Sequence, residues 1–105
     1  MPRYKIRLES QNGEKYIHTG YYGGNDISLG DVAGGLYYKY VGKPDLLVRK
    51  LISITDEEIV SYVERMFDGS ILEKERIIEE LKRNRDELRE WIERNPNWKV
   101  KDYRF

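Results

Sequence analysis

Few residues of this chain are of types that do chemistry. It has one histidine, His18, and no cysteine. Thiol catalysis and thiolate-bound metals need cysteine, so these classes are excluded, and a lone histidine has no second imidazole for a zinc site. His18 can pair with Glu9 or Glu14 as acid and base, but a plain surface histidine is the simpler account, and no serine stands at a recognisable nucleophile spacing. Asp26, Asp31 and Asp45 fall in turns or helix starts, where carboxylates serve as caps. No constellation points to an enzyme, and no cofactor or metal is expected.

Two stretches suit binding better than reaction. The first is Tyr21-Tyr22-Gly23-Gly24-Asn25-Asp26 leading to Ser28. A glycine-rich turn between a strand and a helix start can aim backbone amides at an anion, and the helix dipole adds to this. Ser28 would donate its hydroxyl, and the base of a nucleotide would stack on Tyr21 or Tyr22. No Gly-Lys-Ser/Thr follows and no Gly-x-Gly-x-x-Gly is present, so no established phosphate motif applies. A structural turn explains Gly23 and Gly24 equally well. The second stretch is the polar face of an N-terminal hairpin, with Arg3, Lys5, Arg7, Tyr16, His18 and Tyr22. Cations interleaved with aromatic rings on a sheet can hold single-stranded nucleic acid. That mode rests on neutralising phosphates. Here nineteen basic residues balance nineteen acidic ones, so no net field draws the chain to nucleic acid or to a membrane.

The element that must position everything else is a charged helix from Ser70 to Asn95. Ser70 and Glu73 have the spacing of a capping box, and Asn95-Pro96 ends the helix because proline disfavours a helical residue before it. Ile71, Ile78, Leu81, Leu88 and Ile92 recur at helical steps, with Ile77 and Trp91 widening the stripe. At about 1.5 Å per residue such a rod runs about 39 Å. A single domain of this length has a diameter of roughly 34 Å. The rod must therefore cross the whole domain, overhang it, or pack on a partner. Its stripe is interrupted by Asn84 and Arg85, a polar gap of the kind that sets register in paired helices. Trp91, Ile92 and Trp98 lie near its C-terminal end, and tryptophan is enriched among residues that dominate binding energy.

The remaining elements follow from local patterns. Tyr4, Ile6 and Leu8 alternate with Arg3, Lys5, Arg7 and Glu9, a strand with one wet face. Asn12-Gly13 reads as the two-residue turn of a hairpin, which would set Leu8 opposite Ile17 and Arg7 opposite His18. Leu29, Val32, Ala33, Leu36, Tyr37, Tyr40 and Val41 fit a helical stripe with Ser28 as its cap. The glycines at 30, 34 and 35 weaken it, and the alternative makes 36–41 and 46–54 a second hairpin. Leu46 to Ile54 is expected as a strand in either case. Thr55 and Glu58 form a capping box opening a helix to Phe67, with Ile59, Tyr62, Val63, Met66 and Phe67 on its buried stripe. The tail from Trp98 adds an edge strand or lies on the surface.

The resulting fold class is α+β, one domain over 1–105, with a small antiparallel sheet packed by helices. With no signal peptide and no apolar run near eighteen residues, a cytoplasmic protein is expected. The function that fits is non-catalytic: a small interaction or inhibitor protein that covers a surface on a protein partner, and a homodimer through its long helix. Inhibitors that viruses and mobile elements direct at host defence systems are of this kind. Trp91, Ile92, Trp98, Tyr37 and Tyr38 are the expected partner contacts. A sequestering small-ligand or nucleotide binder at 21–28 is the alternative, and a nucleic-acid binder at the hairpin face the third reading.

Overall fold

A computed structural model of the chain describes residues 5–18, 29–33, 40 and 42–104. Among them are three strands, β1 (Lys5–Ser10), β2 (Gly13–His18) and β3 (Lys99–Arg104), and four helices. The helices are α1 (Leu29–Ala33), α2 (Pro44–Ser53), α3 (Asp56–Met66) and α4 (Ile71–Arg94). The sheet is antiparallel with β1 in the middle, in the order β2-β1-β3. The class is α+β with a long C-terminal helix, as the sequence pattern indicates.

The alternation in β1 buries Ile6 and Leu8 completely, and Ile17 of β2 joins them. The hairpin register differs from expectation. Ser10 pairs with Gly13, so the two-residue turn is Gln11-Asn12, and Leu8 stands opposite Lys15 while Ile6 stands opposite Ile17. Two local features move it. The Ser10 hydroxyl accepts the Asn12 amide at 3.1 Å, which folds the turn one residue earlier. Gln11 and Asn12 keep negative φ, and only Gly13, at φ +136°, uses the freedom of glycine. The pairing shifts by two residues, so every side chain keeps its expected face. β3 lines the other side of β1, making the tail an edge strand. A bulge sets Arg7 opposite Asp102 but Leu8 opposite Val100, leaving Lys101 as the extra residue.

The expected strand at 46–54 is a helix instead. Pro44 occupies the first turn, where its missing N–H costs nothing, and Asp45 follows at the positive end of the dipole. Leu47, Val48 and Leu51 are buried while Leu46, Arg49 and Ser53 face water. A strand would have put Arg49 on the same face as Leu47 and Leu51; the helical period separates them. This removes the alternative hairpin of 36–41 with 46–54. Leu29–Ala33 forms the start of the helix expected at 29–41. Residues 34–39 and 41, with Tyr37 and Tyr38, lie outside the described residues.

α3 begins with the expected capping box: the Glu58 amide donates to Thr55 Oγ1 at 3.1 Å, and the Thr55 amide donates to the Glu58 carboxylate at 3.4 Å. α4 runs unbroken for 24 residues from its Ser70 cap, which accepts the Glu73 amide at 3.1 Å. Glu73 returns its carboxylate to the Ser70 hydroxyl at 3.2 Å, not to the backbone. A helix of that length spans about 36 Å. The molecule measures 42 × 27 × 20 Å, so α4 runs along its longest dimension. Ile78, Leu81 and Leu88 seat it on a core shared with Ile54, Ile59 and Val63.

Candidate functional site

Half of the polar gap in the α4 stripe faces inward. Arg85 turns into its own chain and is only 7% exposed. Its Nη1 donates to the Ile54 carbonyl at 3.1 Å and meets Asp56 Oδ1 at 2.6 Å, while Nε bonds Asp86 at 3.0 Å. One turn on, Arg89 donates to the Ile52 carbonyl through Nη2 at 2.6 Å and Nε at 3.2 Å. Ile52 and Ile54 carry carbonyls at the C-terminal end of α2, where helical partners run out and the dipole is negative. The two guanidiniums therefore cap α2 and fasten α3 beside it. Burial pushes the Arg85 pKa down, but its bonds to Asp56 and Asp86 outweigh this and hold it above the ordinary value. The same bond holds the Asp56 carboxyl below the usual range. Asn84 stays exposed.

The C-terminal end of α4 also folds onto its own chain. Trp91, Ile92 and Trp98 are half-buried against the core, and the Arg49 guanidinium lies 5.5 Å from the Trp98 ring centroid. Beneath them Asn95 is buried and joins two ends of the fold. Its Nδ2 donates to the Trp91 carbonyl at 2.7 Å, and its Oδ1 accepts the Ser10 hydroxyl at 2.6 Å and Asn12 Nδ2 at 3.5 Å. Of the five expected partner contacts, these three serve packing within the chain, each with part of its surface still open. The other two, Tyr37 and Tyr38, are outside the described residues.

In its central rows the outer face of the sheet sets three acids, Glu9, Glu14 and Asp102, among three bases, Arg7, Lys99 and Lys101. Arg7 stands between Tyr16 and Asp102, and Glu9 stands opposite Glu14. Lys101 bridges the two glutamates at 3.2 and 3.9 Å. The Tyr16 hydroxyl donates to Glu14 at 3.2 Å. A hydrogen bond with Tyr16 holds the Arg7 pKa above its ordinary value, against the cost of burial. Phosphate would meet these carboxylates as well as the cations, which weakens the nucleic-acid reading. Arg3 and Tyr22 lie outside the described residues, as do the side chains of Lys5 and His18. The glycine-rich stretch Tyr21, Tyr22, Gly23, Gly24, Asn25 and Ser28 lies wholly outside them. No group of three metal-ligating side chains comes together among the described residues, and no helix there is long and apolar enough to cross a membrane.

What stands open is the elbow between α3 and α4. Met66, Ile71 and Leu72 are 60%, 75% and 77% exposed. No family model, curated protein or solved structure matches the chain. Function is therefore argued from this geometry alone. The elbow is tight because the Phe67 ring lies on Gly69, where a Cβ would run into the ring edge. Lys74 and Glu64, 3.3 Å apart, tie the two helices just behind it.

The periodic pattern assigns Met66 to a buried stripe and sets Ile71 at the head of the α4 stripe, and both are exposed. A signal was present. From Ile71 the next positions on its stripe are Lys74 and Glu75, and apolar residues resume only at Ile77 and Ile78. Ile71 and Leu72 in the first turn of α4 are thus left open to water.

Proposed function

We propose that the chain is a non-catalytic binding protein that acts by occlusion, docking the apolar elbow of α3 and α4 into a protein partner. The observation that carries this reading is the exposure of Met66, Ile71 and Leu72 together at one helical joint. Fully burying such a side chain contributes about 1.5–3 kcal/mol, so covering what these three expose is worth roughly 3–6 kcal/mol. A contact confined to them falls short of the roughly 800 Å² per partner of a standard interface. The partner that suits it offers a groove that closes around these side chains and also meets the flanking helix surfaces. A small cytoplasmic inhibitor of the sort viruses or mobile elements direct at host defence would work in this way, by steric cover alone. Homodimerisation through α4 uses the same patch, with a second copy as the occupant.

The test compares the wild-type chain with the Ile71→Asn, Leu72→Asn double variant. Partners recovered quantitatively by the first and lost by the second support docking at the elbow. A dimer by light scattering that the double variant converts to monomer makes the occupant a second copy. Equal recovery by both chains, with identical mass in solution, refutes the reading.

A further inference from the structure

We draw no further inference here: the strongest candidate, the apolar elbow at Met66, Ile71 and Leu72 between α3 and α4, belongs to the surface already proposed, and nothing in the structure shows what covers it.

Discussion

Replacing Arg85 by methionine tests how the helices are joined. Methionine keeps the length and packing of the stem but removes the guanidinium. Asp56 and Asp86 are half-exposed and can turn to water, so they lose little. The Ile54 carbonyl cannot do so, because Ile54 is almost wholly buried. A hydrogen bond from a charged donor contributes about 1.5–3 kcal/mol, and a buried acceptor left without one costs a similar amount. The expected loss is about 2–3 kcal/mol. With a urea slope of about 1–3 kcal/mol per molar, the midpoint should fall by about 0.7–3 M. For a domain near this size the same loss lowers Tm by roughly 10–15 °C. Arg85→Lys should fall between, since lysine keeps the charge but cannot reach three acceptors with a planar fork. A loss below roughly 0.5 kcal/mol for Arg85→Met, the range of ordinary surface changes, would refute the capping role. Full stability in Arg85→Lys would refute the part assigned to the fork.

Four other outcomes follow from the same contacts. Asn95→Ala removes the acceptor of Ser10 and the donor to Trp91, and should cost about 1–3 kcal/mol in urea unfolding. Asn95→Gly should not rescue it, because Asn95 sits at φ −128°, where glycine has no advantage. Gly69→Ala drives a methyl into the Phe67 ring and should lose about 1 kcal/mol or more by thermal melting, whereas an unchanged melt would mean the ring moves aside freely. Asp56 has its folded pKa below its unfolded value, so its contribution is present above the ordinary carboxyl range and fades as pH falls through the folded pKa. Asp56→Asn should therefore flatten the acid limb of stability measured below about pH 4, and an unchanged limb would show that the pair is not felt. The Ile71→Asn, Leu72→Asn double variant should unfold within roughly 0.5 kcal/mol of wild type, since both side chains are in water already; a large loss would mean the elbow is structural.

How much of this was legible in the sequence depended on the signal each element carries. Caps are local chemistry, and Thr55-Glu58, Ser70-Glu73 and Asn95-Pro96 placed the bounds of α3 and α4 closely. Alternation in β1 gave the correct faces even though the turn slipped, because a shift by two preserves side-chain parity. The helix at 44–53 is not legible because a short apolar run has no decisive period, and Pro44-Asp45 signals a strand boundary and a helix start equally. Arg85 was unreadable, since nothing local says whether an arginine in an apolar stripe turns out to water or in toward a distant carbonyl. Trp91, Ile92 and Trp98 were singled out by residue type, but type does not say whether a ring meets a partner or its own core. The elbow is hidden by a stripe that reads on across Lys74 and Glu75, where the pattern lapses.

The middle position of β1 has a consequence for how the chain assembles. One neighbour, β2, is made within moments of it, whereas the other, β3, is synthesised after every described helix. Until β3 emerges, β1 can be paired on one flank only. Contacts between such remote segments are slow to form, and an open flank of this kind recruits strands from other chains. Ser10 and Asn95 meet beside that seam, so the late closing step is also the one that anchors the far end of the long helix.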